Sequence, residues 1–233
     1  RQLERAVTLR REFTGNVSHE MKSPLQVIGG YAELIESGIA DGEDARKFAG
    51  LICAESQAMR RLIDDVLTLS RLDESASGRT SLFDLVATAK VVLVRLAPMA
   101  AERDVRLFLA GPDVAWVLGI ETLAEQVVYN LVDNAIRHGR AAGRVELDIR
   151  CSAQDVVLDI CDDGDGISPE AQQRVFERFY RVDPSRSRET GGTGLGLAIV
   201  KHGVESMGGS VTVGQSALGG ARFTVRLPAA NGV

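Results

Sequence analysis

Aromatic residues are scarce in this sequence, 5% of 233, so any core it forms must be chiefly aliphatic. A basic excess is missing too: 27 Lys and Arg face 32 Asp and Glu, for a net charge of −5. Non-specific nucleic-acid binding needs a positive surface, so no nucleic-acid partner is expected. Cysteine is limited to Cys53, Cys151 and Cys161. These have no metal-ligand spacing and an odd count makes a poor disulfide framework, which points to a reducing compartment. No apolar run approaches the roughly 20 residues of a membrane-spanning helix. Signal peptide, internal repeat and low-complexity tract are all lacking. The chain starts at Arg1 rather than Met, and the expectation is a piece of a longer protein.

What is present is a globular composition, 45% hydrophobic and 25% charged. Two regimes meet near residues 73–80. In the first, Phe13, Val17, Met21, Leu25, Ile28, Ala32 and Ile35 fall at steps of three and four, one helical stripe. Gly38, Asp41 and Gly42 break it, and Glu43 and Asp44 suit the first turn of a second helix. The second stripe runs Phe48, Ile52, Met59, Leu62, Ile63, Val66 and Leu69. Helices of thirty-odd residues are about 50 Å long. A lone hairpin of that length cannot cover its own stripes. The expected solution is a second copy of the chain, giving a four-helix bundle. The alternative is a hairpin packed on the chain's own second domain.

Asp73–Gly78 reads as a linker. Beyond it, Leu82–Glu102 and Glu121–His138 are helix-like, and Thr193–Met207 is helical. Strand candidates are Val105–Ala110 and Ala115–Leu118 around a Gly111-Pro112-Asp113 turn. Arg144–Cys151 with Val156–Cys161 reads as a hairpin, and Ser210–Val213 and Ala221–Leu227 close the chain. This order has no regular βαβ rhythm. It predicts an α/β sandwich with a mixed sheet after an antiparallel helical hairpin. The domains are then 1–74 and 81–233, joined by 75–80.

Two glycine-rich segments carry the chemistry. Asp162-Asp163-Gly164-Asp165-Gly166 follows an apolar strand, and Gly191-Gly192-Thr193-Gly194-Leu195-Gly196-Leu197 precedes a helix. Glycines at a helix start let backbone N–H groups approach phosphate. The second segment lacks the Gly-Lys-Ser/Thr of a P-loop and no strand immediately precedes it, so a dinucleotide fingerprint does not fit. A plain turn explains either run alone equally well. Asn130 and Asn134 share one helix face; they are either a buried polar network or amide oxygens for Mg²⁺ and its phosphates. Between the glycine runs, Phe176 and Phe179 alternate with Arg178 and Arg181, and Arg186 and Arg188 follow. That stretch is a lid over a polyphosphate or a solvated loop.

Taken in order, these segments resemble the nucleotide-binding domain of sensor histidine kinases. The asparagine pair is Asn130-Leu-Val-Asp-Asn134-Ala-Ile-Arg, followed by Asp162–Gly166, Phe176-Glu-Arg-Phe179-Tyr, and Gly192-Thr-Gly-Leu-Gly-Leu197. The first half holds Phe13-Thr-Gly-Asn-Val-Ser-His19-Glu-Met-Lys-Ser-Pro24-Leu25, similar to that family's phospho-acceptor box. A lone histidine on a helix is usually structural or simply solvated, but the residues around His19 favour the acceptor reading. Neutral imidazole is the good nitrogen nucleophile near pH 7. Glu20 can accept its Nδ1 proton and free Nε2. Pro24 removes the hydrogen bond to the Glu20 carbonyl and predicts a bend below the site. His202 is assigned no role.

The resemblance implies a two-component enzyme using ATP and Mg²⁺. Asp162 reads the adenine amine, and Gly164 and Gly166 let the backbone approach the base. His138 stands where relatives carry an aromatic near adenine. Asn134 ligates Mg²⁺ with Asn130 close by, and Arg137 and Arg181 neutralise phosphate. Gly192, Thr193, Gly194, Leu195, Gly196 and Leu197 form the lid hinge and the phosphate-facing helix start. His19 attacks the γ-phosphate with Glu20 as base, and the phosphoryl group passes to an aspartate of a response regulator. Ser23, four residues on, is the candidate for positioning water in a phosphatase reaction. The resemblance further implies a homodimer. It also implies a cytoplasmic position, with a membrane anchor upstream of Arg1. Gyrase- and heat-shock-type ATPases place a Glu where this chain has Asn130, so direct hydrolysis is disfavoured. A degenerate scaffold would have lost His19, Asn134 or Asp162, and an anti-sigma serine kinase lacks the histidine hairpin.

Overall fold

The computed structural model describes residues 2–74, 80–182 and 192–230, with hairpin side chains from 14 to 72. Linker residues 75–79, the arginine-rich stretch with Arg186 and Arg188, Gly191 and the side chain of Phe13 lie outside the described residues.

Helices α1 (Gln2–Glu36) and α2 (Gly42–Glu74) form the hairpin. Gly38 at φ 72° and Gly42 at φ 51° make the turn where other residues would be strained. Tyr31 stacks on Phe48 at 4.8 Å to close that end. Helix α1 continues through Pro24. Leu25, Leu51, Ile63 and Leu67 stay exposed on the hairpin, whereas Leu62 and Leu69 are buried. Those two are covered by the chain's own second domain, so the alternative covering holds for that part of α2.

The second domain begins with strand β1 (Ser81–Asp84), then α3 (Leu85–Glu102), β2 (Arg106–Ala110), β3 (Trp116–Gly119) and α4 (Glu121–His138). Strands β4 (Arg144–Cys151) and β5 (Asp155–Asp162), the short α5 (Pro169–Gln172), α6 (Gly196–Ser206), β6 (Ser210–Gln215) and β7 (Ala221–Pro228) complete it. The main sheet runs β2-β4-β5-β7-β6; β2 and β4 are parallel and every other pair antiparallel. It is the mixed sheet that the element order predicts.

Two local expectations change. Leu82–Asp84 is strand, not the start of the helix. The apolar pattern into α3 is continuous, but the Asp84 carboxylate accepts from Val86 N at 3.0 Å and from Ala115 N at 2.9 Å. That double acceptor caps α3 and pins β1 beside β3. Strands β2 and β3 are also not a hairpin: β3 pairs with β1 in a separate two-stranded ribbon.

The sheet buries one face. Val145, Leu147 and Ile149 on β4, Val156, Leu158 and Ile160 on β5, and Phe223, Val225 and Leu227 on β7 point at the helices. Leu123, Val127, Leu131, Val132, Ala135 and Ile136 of α4 meet them at helical spacing. The largely aliphatic core expected from the composition is the one found. Leu131 has no exposed surface. Leu131→Ala is expected to cost about 2–5 kcal/mol of domain stability, through lost transfer energy plus a cavity. Urea unfolding followed by circular dichroism measures it.

Candidate active site

Because one stripe of α4 is committed to the core, its other stripe is free to line a cleft. Gln126, Asn130, Asn134 and Arg137 fall on that face and border a cavity of about 500 Å³. Asn130 is held at both ends: its Oδ1 accepts from Gln126 Nε2 at 2.9 Å and its Nδ2 donates to Gly196 O at 3.2 Å. It ties α4 to the start of α6. The Asn134 side-chain amide has no hydrogen bond to another described residue, and it borders the cavity. Its hard oxygen suits Mg²⁺ beside phosphate oxygens, so the donor set fits that ion. Arg137 is clamped by Asp133 through Nε at 2.6 Å and Nη2 at 3.0 Å. Burial pulls on its charge, but the Asp133 bond and charge outweigh it and hold the guanidinium above its ordinary value.

At the other end of the cleft, β5 delivers Asp162, 3% exposed. Its Oδ1 accepts from Gly164 N at 2.9 Å and from Ala221 N at 3.1 Å. Burial raises its carboxyl pKa against the pull of those two bonds. Glycine is needed here: a Cβ on Gly164 would collide with the His138 carbonyl, and Gly166 sits at φ 74°. Next to Asp162, Asp163 accepts from Arg140 N at 3.1 Å and Arg144 N at 3.0 Å, fixing the turn between α4 and β4. His138 stands at the rim, open to solvent on one side. Burial of the rest of the ring lowers its pKa, with Asp162 pulling the other way. Of the residues predicted for binding, Asn130, Asn134, Arg137, His138, Asp162, Gly166, Arg181, Gly192, Thr193, Gly194, Gly196 and Leu197 border the cavity, whereas Gly164 and Leu195 do not.

Leu195 has a different place. It is fully buried with Ile199, Leu62 and Leu69 in a second apolar cluster, joined by Met21, Val66 and Phe179. This seam docks the domain on the hairpin. Phe179 is at φ 62°, and its N donates to Gly194 O at 2.8 Å. A Cβ on Gly194 would lie 3.0 Å from the Phe179 Cα, so the close approach requires glycine. Thr193 Oγ1 donates to Asp65 Oδ2 at 2.6 Å and accepts from Leu195 N at 3.2 Å.

His19 and Ser23 are exposed on α1, one turn apart. Glu20 pairs across the seam with Arg181, Nη2 to Oε2 3.4 Å, and Arg181 also donates to the Gly192 carbonyl. The histidine helix and the cleft are thus adjacent, although neither His19, Glu20 nor Ser23 borders the cavity. Sequence reasoning missed Arg61, Asp64 and Asp65 of α2, and Arg95, Tyr129 and Asp133. Helical spacing from Asn130 would have found Gln126. Arg95, stacked 4.3 Å over Tyr129, left no sequence signal. Among the described residues no helix is long and apolar enough to cross a membrane. No His, Cys, Asp and Glu cluster among them could hold a metal.

An α/β sandwich with an asparagine-lined cleft, an aspartate on a glycine turn and a glycine box at a helix start defines an ATP-binding domain shared by kinases and ATPases. Family models agree. Residues 119–231 match the histidine kinase-, DNA gyrase B- and HSP90-like ATPase domain, and residues 9–75 match the His Kinase A (phospho-acceptor) domain. The chain belongs to the sensor histidine kinases. It is 36% identical over 222 residues to the sensor-like histidine kinase SenX3 of Mycobacterium tuberculosis, covering 94% of this chain and 54% of that protein. It is 34% identical to the signal transduction histidine-protein kinase BaeS of Escherichia coli over 97% of this chain and 48% of that one. Among solved structures, full-length ShkA in complex with AMPPNP matches with a TM-score of 0.70 at 29% identity, over 95% of this chain and 46% of that one. The chain spans about half the length of the curated relatives it matches.

Proposed function

We propose that this chain transfers the γ-phosphoryl group of ATP to His19 and then to an aspartate of a response regulator. The observation that carries the reading is the Arg181–Glu20 pair, which ties the cleft to the residue beside the histidine. In the transfer, the His19 Nε2 lone pair forms a bond to phosphorus as the bond to the ADP oxygen breaks. Glu20 takes the Nδ1 proton, which keeps the imidazole nucleophilic. Arg181 exchanges its Glu20 contact for phosphate, and Arg137 adds positive charge from the clamp it makes with Asp133. Asp162 receives the adenine amine, with His138 and Gly166 walling the base. Gly164 gives that loop its close approach. The Gly192–Leu197 segment presents backbone N–H groups to the phosphates, and Leu195 anchors it to the hairpin. Asn134, supported by Asn130, would hold Mg²⁺, which when bound screens phosphate charge and polarises the transferring group.

The division into 1–74, 75–80 and 81–233 belongs to the same reading, because the domain must move between donor and acceptor. So does a homodimer: Leu25, Leu51, Ile63 and Leu67 are apolar, exposed and on the hairpin. A sensor and membrane anchor before Arg1 would account for the length by which the relatives exceed this chain. Incubation with γ-labelled ATP and Mg²⁺ tests the reading. Acid-labile, base-stable label on the chain is expected, and no label despite measurable ATP binding would overturn it.

Ser23 is assigned the phosphatase role on its place one turn beyond His19, on the exposed side of α1. Ser23→Ala is expected to slow dephosphorylation of the phosphorylated regulator severalfold while autophosphorylation continues. The rate of loss of label from the regulator measures it, and an unchanged rate removes Ser23 from the site.

A further inference from the structure

We propose that Asp65 is a positioning residue that docks the ATP-binding domain on the hairpin through Thr193, beside the apolar seam. Its bearing on catalysis rests on the kinase reading above; the docking itself rests on geometry alone. On α2, Leu62, Asp65, Val66 and Leu69 share one face, and that face meets Leu195, Ile199 and Phe179. Asp65 is the half-buried polar residue of that face, where the seam meets the cleft. Its Oδ2 accepts from Thr193 Oγ1 at 2.6 Å, across 128 residues of sequence. The same oxygen of Thr193 accepts from Leu195 N at 3.2 Å, just before α6 begins. One carboxylate therefore sets the start of the phosphate-facing helix from the histidine-bearing domain.

Free of the domain, this face of α2 lies open to water and Asp65 is an ordinary solvated carboxyl group. Docked, its pKa is raised from 3.8 to about 6. Burial is the main cause, opposed by the Thr193 bond. The charged groups acting on it are Asp64 and Arg61 from its own helix and Asp133 from α4; the two carboxylates raise it and Arg61 lowers it. An acid whose pKa is higher docked than free binds a proton on docking. Docking is then weakest, and insensitive to pH, well above 6. It strengthens as pH falls through 6 towards 3.8, by about tenfold between pH 8 and pH 5. The second tie, Arg181 to Glu20, holds the Glu20 carboxylate in the same docked arrangement. Release of the Asp65 contact frees both the domain and the face of the hairpin beside His19.

A buried thiol reports the undocked fraction. Ile199 is fully buried and belongs to the seam cluster, whereas Cys151 is exposed on the same domain. In an Ile199→Cys background, the rate of reaction with dithiodipyridine at position 199, divided by that at Cys151, is measured from pH 5 to pH 8 without nucleotide. The ratio is expected to rise about tenfold with pH. With Asp65→Asn, which keeps the acceptor and loses the charge, it should stay low and flat. With Asp65→Ala it should be high at both ends. The same pH rise in Asp65→Asn, or an Asp65→Ala ratio at pH 5 as low as that of its background, overturns the proposal. Leu69→Cys, on the opposite wall of the seam, repeats the test should Ile199→Cys not fold. No nucleotide enters this assay. Failure of ATP labelling would sink the kinase reading alone, and a flat parental thiol ratio would sink the docking proposal alone.

Discussion

His19→Gln is expected to abolish autophosphorylation, a loss of at least about a thousandfold, while leaving ATP affinity unchanged. The chemistry needs a neutral nitrogen with a free lone pair, and glutamine offers an amide whose nitrogen is not nucleophilic. The substitution is structurally mild. His19 is exposed on α1 and borders neither the cavity nor the apolar seam. Glutamine is a good helix former, so the hairpin should persist. The pair of readouts separates the roles: label incorporation reports the acceptor, and calorimetric titration with ATP reports the cleft. Label that survives in His19→Gln would move the acceptor elsewhere. Loss of ATP binding together with label would mean that the substitution had disturbed the docked domain rather than the chemistry.

How far the sequence reveals the molecule depends on the range of the interaction involved. Asn130 and Asn134 were legible because four residues on a helix are one turn, a purely local rule. The glycine turns were legible because φ near 70° at Gly166 and Gly194 is a local demand. What stayed hidden acts over distance. Nothing in the Asp64-Asp65 pair announces a partner 128 residues away at Thr193. Leu195 reads as part of a phosphate-facing box, yet it spends its side chain on the seam with Leu62 and Leu69. Asp163 looks like a repeat of Asp162 and instead ties down the turn after α4. Strand β1 reads as helix because Leu82 and Phe83 continue the apolar pattern of α3; the arbiter is Asp84, reaching Ala115 thirty-one residues on.

Asp162→Asn is expected to weaken ATP binding by at least about a hundredfold with little change in domain stability. Both backbone bonds to Asp162 fall on Oδ1, from Gly164 N and Ala221 N. An asparagine oriented with its oxygen at that position keeps both, so the glycine turn should remain folded. Its amide nitrogen then occupies the other position, where the proposal needs an acceptor for the adenine amine. Two donors then face each other at a residue only 3% exposed, and a site built to bond one group rejects a mismatch strongly. Turning the amide around does not help, because the nitrogen would then face two backbone N–H donors. Burial raises the Asp162 pKa, so its acceptor is lost at a higher pH than for an ordinary carboxylate. Parent affinity should fall on acidification more than ATP's own protonation accounts for. Calorimetry of parent and variant from pH 5 to pH 8 measures both effects. Retained affinity in Asp162→Asn, with unfolding unchanged, would place adenine outside this cleft.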